Sequence, residues 1–106
     1  MNLQILGKEF TVSVERSNNI DVWTQEDRTL GCCLASRGLI LLNPDQSEES
    51  INCTLLHEII EAVNEMLELG LEHRQITGLD AGIYSAIKSH WQPVRIKKGK
   101  KDVKMR

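Results

Sequence analysis

The sequence predicts an α+β domain, in which a small antiparallel β-sheet of about three to four strands packs on two main helices. Three observations carry this expectation. Phe10, Val12 and Val14 alternate with Thr11, Ser13 and Glu15, which is the period of a half-buried strand. Asn43-Pro44 then ends the strand-like sequence, because proline cannot continue a hydrogen-bonded ladder. Beyond it, apolar residues recur at helical spacing in two successive stretches separated by Gly70.

The elements follow in order. Residues 2 to 6 and 9 to 15 read as two strands joined at Gly7-Lys8, with one face of the hairpin buried. Residues 16 to 27 are polar and turn-rich around Ser17-Asn18-Asn19, so a loop is expected, with Trp23 closing over the core edge. Residues 29 to 35 and 39 to 42 are strand-like, and Ser36-Arg37-Gly38 supplies the tight turn of a second hairpin.

Asp45 is the expected N-cap of the first helix, with Glu48 completing a capping box. That helix is expected to reach about Leu69 and to stop at Gly70. Its apolar face holds Ile51, Leu55, Leu56, Ile59, Ile60, Val63, Met66 and Leu67, and the opposite stripe holds Thr54, His57, Glu58, Glu61, Asn64, Glu65 and Glu68. A second helix is expected from about 73 to 89, and Pro93 ends it. Within it Gly78 and Gly82 offer a flat patch, expected to pack on the first helix.

At 106 residues and 41% hydrophobic content, the chain can build one modest core and not two. No stretch reaches the roughly 18 apolar residues of a membrane helix, and Met1-Asn2-Leu3-Gln4 lacks the start of a signal peptide. A cytoplasmic protein with no membrane partner is expected. Cys32, Cys33 and Cys53 fit neither a paired disulfide framework nor C-x-x-C spacing, so reduced thiols are expected. Along a strand, at most one of the two adjacent cysteines faces a given site.

The net charge of -2 hides an asymmetry. Residues 95 to 106 hold seven Lys or Arg against Asp102, a net of +6, whereas residues 1 to 94 hold 6 basic and 14 acidic groups, a net of -8. A domain of residues 1 to 94 followed by a flexible basic tail is the expectation, with nucleic-acid binding through the tail as the alternative.

Chemistry concentrates at Cys53-Thr54-Leu55-Leu56-His57-Glu58-Ile59-Ile60-Glu61. Residues four apart on a helix stand one above the other, so His57 and Glu61 aim an imidazole and a carboxylate at one point, with Glu58 beside them. In the H-E-x-x-H pattern of zinc hydrolases, two histidines hold the metal and the glutamate activates water. Glu61 stands in place of the second histidine, and a carboxylate is a legitimate zinc ligand. The same three residues also fit an ordinary solvated helix face. Beyond the Gly70 turn, His73 is the first candidate for a third ligand and Asp80 the next. Cys53, one turn before His57, is a metal donor or a small buried hydrophobe. Asn64 and Glu65 are candidates for orienting the ligands, Tyr84 for stabilising an oxyanion, and His90 suits the end of the second helix.

The succession of hairpin, Leu30-Gly31, Leu39-Ile40-Leu41-Leu42 and Thr54-Leu55-Leu56-His57-Glu58-Ile59-Ile60 resembles the minimal zincin domains of the ImmA/IrrE-like metallopeptidases, many of them of phage or prophage type. The likeness spans roughly residues 8 to 88 and extends to Leu71-Glu72-His73-Arg74-Gln75-Ile76. The resemblance implies a zincin-like domain over residues 1 to 94, zinc held by His57, Glu61 and His73, and Glu58 as general base. It also implies an open coordination position for water, whose pKa falls to about 7. An anionic ligand at Glu61 acidifies that water less than histidine would.

Two functions of different class remain open. One is hydrolysis of a peptide bond in a peptide or protein substrate, laid in extended form on the edge strand near Leu39 to Leu42. The other is a non-catalytic metal-binding or partner-binding accessory module with the same fold.

Overall fold

The structure, a computed structural model, describes residues 1–14, 30–97 and 100–103. The expected loop over residues 16 to 27, with Trp23, lies outside the described residues, as do Glu15 and Thr29.

The chain folds as α+β. Strands β1 (Asn2–Ile5), β2 (Lys8–Val14), β3 (Gly31–Leu34) and β4 (Leu39–Leu42) precede helices α1 (Glu48–Met66) and α2 (His73–Ile87). A two-stranded hairpin, β5 (Val94–Lys97) and β6 (Lys100–Val103), follows. The expected domain limit at residue 94 therefore falls inside this hairpin, and Val94 belongs to the core.

The four-stranded sheet has the order β1-β2-β4-β3. β1 and β2 pair antiparallel through a turn at Leu6-Gly7, where both residues have positive φ, as a two-residue hairpin turn requires. β3 and β4 also pair antiparallel. β2 and β4, however, run parallel, with Val12 opposite Ile40 and Val14 opposite Leu42, so the sheet is mixed and not wholly antiparallel. This order corrects the expected edge: β4 is interior, and β3 is an outer strand.

Gly38 shows why the β3–β4 connection turns where it does. After a 3-10 turn over Ala35–Arg37 it adopts φ 61°, and a Cβ there would lie 2.7 Å from the carbonyl oxygen of Glu9. The Gly38 carbonyl accepts a hydrogen bond from the Thr11 amide at 2.8 Å, and Lys8 Nζ donates to the Ala35 carbonyl at 2.7 Å. Both contacts tie the turn to β2.

The main core lies between the sheet and α1, with Phe10, Val12, Ile40, Leu42, Ile51 and Leu55 buried together. Ser47, not Asp45, caps α1, its side chain accepting from the Ser50 amide. Glu48 and Glu49 occupy the first turn, where the helix dipole favours acid. The helix ends three residues earlier than expected. The Leu69 amide donates to the Asn64 carbonyl and the Glu68 amide to the Glu65 carbonyl, a Schellman closure in which Glu68 takes the left-handed conformation at φ 50°.

Buried Asn52 links α1 to β5. Its side chain donates to the Val94 carbonyl and accepts from the Val94 amide, while Trp91 Nε1 donates to the Asn52 carbonyl. α2 is held more lightly, because only Ile76 and Asp80 are buried along it. Gly78 and Gly82 meet nothing, and the expected close packing on α1 through these glycines does not form among the described residues. Leu79 and Ile83 are exposed. Among the described residues, no helix is long and apolar enough to cross a membrane.

Candidate metal centre

Where α1 passes beneath β3, Gly31 makes close approach possible. A Cβ on that residue would fall 2.6 Å from Thr54 Cγ2 and 3.1 Å from Glu58 Oε2. The polar stripe of α1 consequently faces a groove more than open water: Thr54 and Glu58 are buried. A cavity of about 870 Å³ opens there, bordered by β3, α1 and the first turns of α2.

Within it, His57 Nε2 stands 3.7 Å from Glu61 Oε2, the separation of neighbouring helical turns. His73, the first residue of α2, meets the His57 ring edge-on with centroids 5.5 Å apart. One donor atom from each of His57, Glu61 and His73 lies within 4.8 Å of the other two. Tetrahedral zinc with bonds of about 2.1 Å spaces its donors about 3.4 Å apart, so side-chain adjustments of about an ångström would close the set.

Local sequence explains the placement of His73. The Asn64 side chain accepts from the Leu71 amide at 2.9 Å and donates to the Leu71 carbonyl at 3.3 Å, clasping the connection between the helices. Glu72 caps α2, and the Gln75 side chain accepts from the Glu72 amide in a capping box. His73 follows directly from these two fixed points.

Asp80, the second candidate ligand, falls outside the donor set. Its Oδ2 lies 3.4 Å from His57 Nδ1, and its Oδ1 accepts the Cys53 thiol at 3.6 Å. A proton on Nδ1, the nitrogen on the Asp80 side, would leave the Nε2 lone pair for the cavity, as when carboxylates orient metal-binding imidazoles.

Glu58 is 7% exposed and has no hydrogen-bond or ion-pair partner among the described residues. Burial, followed by repulsion from Glu61 and Asp80, pushes its carboxyl up to about 7. A buried carboxylate without a partner is costly, and this one borders the same cavity as the donors.

No family model, curated protein or solved structure matches this chain. The zincin resemblance of the sequence therefore gains no support from relatives, and the functional reading rests on the groups gathered here.

The three cysteines are free. Cys32 and Cys33 both border the cavity, although Cys33 also packs against the core, so facing opposite ways along β3 did not keep one of them out. Burial and the Glu58 carboxylate raise the Cys32 thiol, and burial chiefly pushes Cys33 up to about 12, with Glu58 and Glu65 adding to the effect. Cys53 is pushed up to about 11, first by burial and then by Asp80. Tyr84 lines a different surface cavity with Glu49, Lys88 and Arg95. His90 lies beyond the end of α2, where its amide donates to the Ile87 carbonyl.

Sequence reasoning missed the roles of Gly31, Asn52 and the Asn64 clasp. Only Asn64, six residues before the Gly70 turn, carried any signal for its role.

Proposed function

We propose that this chain is a small zincin-type zinc metallopeptidase, of the phage or prophage kind its sequence resembles, hydrolysing a peptide bond. One observation carries the reading: two imidazoles and a carboxylate converge within 4.8 Å beside the buried carboxylate of Glu58, which has no partner among the described residues. His57, Glu61 and His73 would hold the metal. Two histidines and one glutamate form a donor set used by catalytic zinc sites, so the glutamate at the second motif position is balanced by a histidine at the third. When bound, zinc supplies Lewis acidity toward a carbonyl oxygen and acidifies water.

The chain's own groups then have distinct tasks. Glu58 takes a proton from the attacking water as the carbon–oxygen bond forms, and delivers it to the amide nitrogen as the carbon–nitrogen bond breaks. The products are a carboxylate and an amine. Asp80 holds the His57 ring in register. β3, an outer strand bordering the cavity, offers its backbone to an extended peptide.

Elemental analysis of protein purified without chelator is expected to find about one zinc per chain, and zinc is expected to raise the melting temperature of the metal-free protein. A melting temperature that ignores zinc would overturn the reading. Glu58→Gln is expected to retain zinc and lose peptide hydrolysis. Zinc binding without turnover in the wild type would instead indicate a non-catalytic metal-binding module.

A further inference from the structure

The groove between α1 and β3 carries one sign of charge. Glu58, Glu61, Glu65 and Asp80 border it, and no Lys or Arg does among the described residues. Glu61 and Asp80 are engaged with His57. Glu58 is buried without a partner, and Glu65, exposed one turn beyond Glu61, has none among the described residues. Charge is therefore left over even after a divalent ion is counted, because with Glu58 protonated two positive charges still meet the three carboxylates of Glu61, Glu65 and Asp80.

We infer that the groove selects an extended cationic peptide, with a Lys or Arg side chain of the substrate set against Glu65. This rests on the metallopeptidase reading and adds the substrate class to it. The geometry is that of a strand laid beside β3: its side chains alternate, and every second one points at the row of acids on α1. Glu65 suits the role of specificity residue because it shares the helix face of His57 and Glu61, being four residues further along, yet lies outside the donor set.

The test uses full-length, zinc-loaded protein and fluorescein-labelled heptapeptides identical except for a central Lys, norleucine or Glu. Binding is followed by anisotropy and cleavage by mass spectrometry, with zinc content measured on each sample. The Lys peptide is expected to bind about fivefold or more tightly than the norleucine peptide, and the Glu peptide weakest, with the spread narrowing as salt rises. Glu65→Gln is expected to bring the Lys and norleucine peptides within about twofold at unchanged zinc content, and Glu65→Lys to favour the Glu peptide. Equal binding of the Lys and norleucine peptides, a preference untouched by Glu65→Gln, or no peptide binding at all would each overturn the inference. Zinc content separates the two claims. A zinc-loaded protein indifferent to peptide charge defeats the selectivity alone, whereas a Lys preference in protein that takes up no zinc defeats the metal reading alone.

Discussion

The Nδ1 atom of His57 stands 3.4 Å from Oδ2 of Asp80, a residue of the neighbouring helix that is itself buried. The contact puts Nδ1 on the Asp80 side of the ring and Nε2 on the side of Glu61. Asp80→Asn keeps the size of the side chain and removes its charge, so the fold is expected to survive. Zinc affinity, measured by competition with a chromogenic chelator, is expected to fall about 10- to 100-fold. Unchanged affinity would show that Asp80 does not orient the ring.

Glu58 links the site to pH. Its carboxyl is raised from 4.5 to about 7 in the folded chain, so folding favours the protonated form. The contribution to stability is fully present below about 4.5 and is lost as pH rises through about 7. In metal-free protein, Glu58→Gln is expected to match the wild type near the acid end of this range. Above it, the variant should be more stable by up to about 3 kcal/mol. Urea denaturation at both ends checks this, and parallel stability profiles for the two proteins would contradict it.

Gly31→Ala is expected to destabilise the fold by about 1–3 kcal/mol, because the added methyl meets Thr54 Cγ2 at 2.6 Å. Thr54 is buried, and its hydroxyl donates to the Gln46 side chain. Thr54→Ser retains that hydroxyl and removes the clashing methyl. The double variant is expected to recover part of the loss in chemical denaturation, and strict additivity would exclude this contact as the cause.

Glu68 occupies a left-handed position that glycine adopts without strain. Glu68→Gly is expected to stabilise the protein by up to about 1 kcal/mol, offset in part by the greater freedom of glycine in the unfolded chain. Thermal denaturation is the measurement, and a lowered melting temperature would show that the Glu68 side chain contributes more than its backbone costs.

The cysteines should be slow nucleophiles. With Cys33 pushed up to about 12 and Cys53 to about 11, both remain thiols at mildly alkaline pH. Iodoacetamide is expected to modify them about a hundredfold or more slowly in the native protein than in urea. Comparable rates would place these thiols in open solvent.

Much of this was legible in the sequence, and the remainder has physical causes. Alternation at Phe10, Val12 and Val14 and the helical spacing beyond Pro44 report local periodicity, and the strands and helices they signalled are present. Four-residue spacing likewise placed His57 beside Glu61, and the Gly70 turn brought His73 back to them. Strand neighbours are a non-local property, so the parallel pairing of β2 with β4 was hidden, and with it the outer position of β3. Asp45 and Ser47 are both competent caps, and only the path out of β4 selects the second. The polar stripe of α1 could not announce that β3 would cover part of it, since Gly31 marks a close approach only once its partner is known.

The light docking of α2 bears on how quickly a metal would come and go. Two donors lie on α1, which is pinned to the sheet and to β5, while the third begins a helix with only two buried residues. Between them, left-handed backbone at Glu68 and Gly70 precedes Leu71, which the Asn64 side chain holds to α1 rather than to α2. An element held this way lifts without global unfolding. Release of a bound ion would then follow the opening rate of α2, leaving occupancy responsive to chelators even under conditions where the sheet and α1 remain fully folded.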